Sequence, residues 1–195
     1  MNNILKSNIF KVFFGLLVMF VLSSCGASYV QKSFLRPGVD TTYIKRVAVL
    51  KFQNNTQQKF AAERLRNIVM TELLTEGIFD VVDRSLVDMV LLEEVVGEQG
   101  VYNKATLRRI AKKLGVQGLI TGSVDAYEIV RDGSYSYPVV ALTLTLIDGS
   151  TGEIVWQASG TASGYSTLGR VFGLRSKDLT QLSFDLVQDL LRTLR

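Results

Sequence analysis

The stretch Pro138-Val139-Val140-Ala141-Leu142-Thr143-Leu144-Thr145-Leu146-Ile147 decides how this chain folds. It alternates cleanly, so in an extended chain Leu142, Leu144 and Leu146 share one face and Thr143 and Thr145 the other. Asp148-Gly149-Ser150-Thr151-Gly152 supplies a hairpin loop, and from Glu153 to Ser163 Ile154, Trp156 and Ala158 alternate with Val155 and Gln157. Upstream, Gly118 to about Val130 is β-like and Asp132-Gly133-Ser134 is a turn signal. Three strands in a row form a meander, and a meander needs helices to cover its apolar face.

Those helices are legible on both sides of it. From Phe60 to Thr75, Ala61, Leu65, Ile68, Val69 and Leu73 fall on one face, and Gly77 is placed as a C-cap. Ser85 and Asp88 suggest a capping box opening a helix to about Val95. Leu107, Ile110, Ala111 and Leu114 mark a third helix, stopped by Gly115, and Leu179 to Leu194 a last one spanning about 177–194. Before the first helix, Arg46 to Phe52 suits a buried strand followed by turn residues Gln53 to Thr56, and Phe79 to Val82 reads as a short strand. The expected fold class is therefore α/β, an α+β sandwich with a mixed sheet, a C-terminal strand meander and flanking helices.

The first residues tell a separate story. Lys6 and Lys11 precede an uncharged run from Val12 to Leu22, too short for a spanning helix and suited to a secretory signal. Leu22-Ser23-Ser24-Cys25 resembles the bacterial lipobox, which implies cleavage before Cys25 and lipid on its thiol. The expected division is a signal peptide over 1–24, a lipidated N-terminus and tether over 25–43, and one domain over 44–195. Removing Lys6 and Lys11 lowers the net charge from +4 to +2, and the remaining bases form no stripe, which argues against nucleic acid.

The chain has no histidine and a single cysteine. Ser-His-Asp and Cys-His catalysis and His- or Cys-ligated metal sites are thereby excluded for this chain alone. No cofactor motif occurs, a phosphate-binding G-x-x-x-x-G-K included. A carboxylate-only hydrolase would need converging acids, with Asp80, Asp83 and Asp125 the candidates, though Asp83 followed by Arg84 and Ser85 reads more simply as a helix entry. The chain reads as a non-enzyme.

Four stretches taken together resemble the CsgG superfamily of lipoproteins, a CsgG/anticodon-binding-like fold: Val47 to Thr56, Gly77 to Arg84, Leu114 to Val124, and Ala141 to Trp156. The resemblance implies a lipoprotein on the periplasmic face of the outer membrane, assisting curli-like secretion or assembly of surface material, with envelope proteins or copies of itself as partners. Gly26 after the cysteine, in place of an inner-membrane aspartate, fits the same location. Family channels insert two hairpins per subunit, yet only ten residues separate Tyr127 from Pro138. A spanning hairpin needs about 20, so no pore is expected from this protein by itself.

The alternative relative is LpoB, which activates a penicillin-binding protein across the wall. A tether of 17 residues, Gly26 to Thr42, spans no more than about 60 Å and weighs against that role. For a contact surface, the segment Gly164 to Arg175 mixes aromatic, glycine and arginine residues, and Tyr165, Leu168, Arg170 and Phe172 are the interaction candidates. Tyr135 and Tyr137 near the hairpin tip are of the same kind.

Overall fold

The computed structural model describes residues 30–96, 100–166 and 177–194. Its strands are β1 (Val30–Leu35), β2 (Arg46–Val49), β3 (Gln53–Asn54), β4 (Asp80–Val81), β5 (Gly118–Asp132), β6 (Tyr135–Asp148) and β7 (Ile154–Ser163). Its helices are α1 (Ala61–Glu76), α2 (Arg84–Glu93), α3 (Lys104–Leu114) and α4 (Leu179–Arg192). The seven strands make one mixed sheet in the order β1-β7-β6-β5-β2-β4, with β3 also pairing to β5. The class read from the sequence is the class found.

The alternation of β6 works as its residues require. Leu142, Leu144 and Leu146 are fully buried with Trp156 and Ala158 under α1 and α4. On the opposite face, Leu119 and Ile147 join Ala48 and Leu50 beneath α2 and α3. Val47 and Val49 point to the first cluster and Ala48 and Leu50 to the second, so β2 is buried on both faces, as a parallel central strand is. Gly122 is needed where β5 meets β6, because a Cβ there would lie 2.4 Å from the Thr143 carbonyl oxygen.

Helix ends explain themselves locally. Gly77 and Gly115 cap α1 and α3 in the left-handed conformation, at φ +61° and +63°. The start of α2 agrees with Asp83 as a helix entry and corrects the Ser85–Asp88 capping box: the cap is Asp83, whose carboxylate accepts from the Ser85 and Leu86 amides. Asp88 is not a capping residue but an ion-pair partner of Arg66 at 2.6 Å and of Arg84 at 3.3 Å.

Two further differences lie outside the helices. Gln53 and Asn54, expected in a turn, pair with Ser123 and Val124 as a second short parallel strand beside β5. The larger difference concerns residues 30–35. Val30–Leu35 pairs antiparallel with β7, from Val30 opposite Thr161 to Leu35 opposite Trp156. Residues 30–35, which the sequence reading assigns to the tether, are thus a strand of the sheet, four positions after Gly26 in the chain.

Candidate interaction surfaces

The residues singled out from the sequence fall in different places. Cys25, Leu168, Arg170 and Phe172 lie outside the described residues. Tyr165 is described and is 38% exposed. Its ring meets Tyr137 edge-on at 5.2 Å and Tyr135 at 6.0 Å, and the latter two stack at 6.0 Å. The three tyrosines form one cluster at the hairpin end of the sheet, consistent with their aromatic preference for offset contacts. Beyond the last pair shared with β7, Val139 and Ser163, the β5–β6 hairpin continues only through Ile129–Asp132 and Tyr135–Pro138. Such arms are well below the 9 to 11 or so residues that span a bilayer as a strand.

The three candidate acids do not converge. Asp80 pairs with Arg46 at 3.2 Å, Asp83 caps α2, and Asp125 accepts from Asn55 at 2.7 Å and Ser123 at 3.3 Å. Each sits on a different element with a local partner. No group of three or more potential metal ligands occurs among the described residues.

A strongly perturbed carboxyl lies at a position that no motif marks, Asp148. Asp148 closes the β6–β7 turn, accepting from the Ser150 amide and hydroxyl at 2.7 and 2.6 Å, the Thr151 amide at 2.7 Å and the Tyr43 hydroxyl. Burial pushes its acidity down, but the accepted bonds outweigh that and hold its pKa at about 2, below the ordinary 3.8. Burial, then Asp148 itself, pushes the Tyr43 phenol up to about 12, so it stays a donor. Because the folded value is depressed, the turn's contribution is complete above about pH 4 and fades as pH falls toward 2, a loss of no more than about 2 kcal/mol. In a urea series, Asp148→Asn should be less stable at neutral pH and lose less than the parent between about pH 4 and pH 2. Parallel curves for the two proteins over that window would refute the assignment.

An exposed apolar surface that sequence reading did not single out lies on α2. Its inner face buries Val87, Val90 and Leu91. Its outer face carries a second row at a spacing of three, Leu86, Met89, Leu92 and then Val95, exposed by 42, 54, 72 and 89%. The rest of the helix surface is polar, with Arg84, Ser85, Asp88 and Glu93, so the apolar row stands out as a stripe of its own. The signal was present in Leu86 to Val96, where apolar residues fill both faces, but one face already satisfied the core pattern. Val95 adds a second anomaly, because it has φ +55°, a conformation costly for a β-branched residue. Its amide and that of Val96 donate to the Leu92 and Leu91 carbonyls, closing the helix in a turn that glycine usually makes.

An α/β domain behind a stretch that resembles a lipobox has the organisation of an envelope lipoprotein. The family model for the peptidoglycan-synthase activator LpoB matches residues 21–161, and the chain belongs to the LpoB family. The family is one of activators rather than catalysts. Among solved structures, the chain resembles the PelC dodecamer from Paraburkholderia phytofirmans at 22% identity, over 84% of this chain and 95% of that one, with a TM-score of 0.58. It also resembles the lipoprotein GNA1162 from Neisseria meningitidis at 14% identity, over 76% and 99%, with a TM-score of 0.53. These likenesses define the fold. No curated protein matches by sequence. The match is thus to LpoB, with PelC and GNA1162 as structural relatives, and the curli-specific expectation gains no support from them.

Proposed function

We propose that this lipoprotein is a non-catalytic activator of a peptidoglycan synthase, anchored by Cys25 to the periplasmic face of the outer membrane and docking through the outer row of α2. The family supplies the class, and the α2 row is the observation that carries the mode of action. Four apolar side chains in water cost the isolated domain solubility, and the strained backbone of Val95 costs it stability. A contact in the assembled state explains both costs at once.

The short lead-in sets the geometry of that contact. Gly26 to Tyr29 can extend no more than about 14 Å. The domain then stays against its own membrane, and the synthase has to present its docking part at that height. The same reach favours a second reading, assembly or secretion of surface material by an oligomer of this chain. Its fold is also that of a PelC protein that forms a dodecamer. In that case Tyr165, Leu168, Arg170 and Phe172 are proposed as part of the contact between copies.

Replacing Cys25 by serine tests the anchor. The variant should leave the membrane fraction or accumulate as unprocessed precursor, since the chain has no other thiol to acylate. Normal processing with unchanged membrane association would remove the lipid from this account. Co-purification of the mature lipoprotein with a penicillin-binding protein selects the activator, whereas discrete oligomers without synthase capture select the second reading.

A further inference from the structure

Helix α3 sorts its five basic residues by partner. Lys104 reaches Glu153 at 3.4 Å, Arg109 reaches Glu94 at 2.7 Å, and Lys113 reaches Glu93 at 3.1 Å and Glu94 at 2.9 Å. Arg108 and Lys112, one turn apart on the same helix, have no acid within bridging distance among the described residues. Instead they line a cleft of about 550 Å³ between α3 and the β6–β7 turn, with Tyr43, Ala111, Val116 and Ser150. Asp148 is in the same wall, but four hydrogen bonds already occupy its oxygens.

We propose that this cleft binds an acidic, extended segment of a partner protein, with Arg108 and Lys112 each taking one carboxylate. This rests on the reading that the protein works by partner contact. The spacing selects the segment. Side chains one helical turn apart stand about 5 to 6 Å from each other at Cβ. Alternate residues of an extended chain stand about 7 Å apart and on the same side. Two acids separated by one residue therefore meet both cations. Ala111 and Val116, buried in the wall of the cleft, give the aliphatic stems of those two acids a dry surface.

The position of the cleft selects a protein over a lipid surface. Val30 lies level with Thr161 and Ala141 in the sheet, whereas Asp148 is seven residues further along β6. That is about 23 Å away from the end where the lipid-bearing residues lead in. The cations thus lie toward the opposite end of the sheet from the one where the chain enters it, which favours a protein segment over headgroups of the anchoring membrane as the occupant.

The test uses the mature lipoprotein in neutral detergent and a labelled, capped peptide of alternating glutamate and leucine, followed by fluorescence anisotropy. The glutamate peptide should bind at least about tenfold more tightly than its glutamine counterpart, the preference shrinking with added salt. Arg108→Gln with Lys112→Gln should erase that preference, while Lys59→Gln with Arg64→Gln, an equal charge loss elsewhere, should keep it. Equal binding of the two peptides, or equal losses in both double variants, would overturn the proposal. So would binding to vesicles of anionic lipid that depends on Arg108 and Lys112 while the peptide fails to bind. If the wild-type protein captures no synthase yet keeps the peptide preference, the synthase reading falls and the cleft stands. If capture succeeds and the peptide preference is missing, the reverse holds.

Discussion

Replacing Arg66 by methionine should destabilise the domain by about 3 kcal/mol, one of the largest effects expected of a single substitution here. Arg66 is 2% exposed, on the inner face of α1. Its Nε and Nη2 donate to the Val49 carbonyl at 3.1 and 2.8 Å, and its Nη1 to Asp88 at 2.6 Å. Val49 ends β2, where the chain leaves the ladder before resuming as β3, so its carbonyl depends on that guanidinium. Methionine fills the volume but leaves a buried acceptor unmet. Asp88 is partly exposed and keeps Arg84, which limits the damage on the ionic side. Lysine should rescue little, since one ammonium does not reproduce a planar fork aimed at two acceptors. Thermal unfolding should fall by about 10 °C for a domain of this size. A loss under about 1 kcal/mol in urea would mean that Val49 finds another donor.

Arg66 also marks where the sequence stops being readable. It stands in a helix whose apolar positions, Leu65, Ile68, Val69 and Leu73, are plain from periodicity, and an arginine among them looks like solvent-facing charge. Its burial depends on a strand end and on an acid 22 residues downstream, and neither is a local property. The same distinction runs through the chain. Gly77, Gly115 and the Leu-Thr alternation of β6 act through backbone geometry and face, which sequence expresses directly. Residues 30–35 join the sheet through β7, whose residues are more than a hundred positions away, and nothing in Val30 to Leu35 announces that pairing. Asp148 belongs to a turn that was legible as Asp148 to Gly152, and Ser150 of that turn lowers its pKa first; only its second partner, Tyr43, is distant in sequence. The α2 surface was missed for a different reason: the helix was recognised, but its inner face sufficed to explain it.

Changing Met89 and Leu92 both to serine should weaken partner capture by about a hundredfold or more, in line with two central apolar contacts of an interface. Both side chains are more than half exposed, so the isolated domain should lose little stability. Val95 separates the functional from the structural role still more sharply. Glycine at that position relieves the φ +55° strain and removes the most exposed side chain of the row. Val95→Gly should therefore stabilise the free protein by about 1 kcal/mol, raising its unfolding temperature by a few degrees. The same change should loosen the complex, because it deletes apolar contact and frees the helix end. Opposite signs in stability and capture are the expected signature of a residue held for contact rather than for folding. The partner to be captured is a penicillin-binding protein on the first reading and a second copy on the other, and sedimentation of the double variant distinguishes them. Dissociation of oligomers points to self-assembly, and unchanged sedimentation with lost synthase capture points to the activator. If Val95→Gly destabilises the protein, or if all three substitutions leave capture and oligomer size intact, α2 is not the docking face.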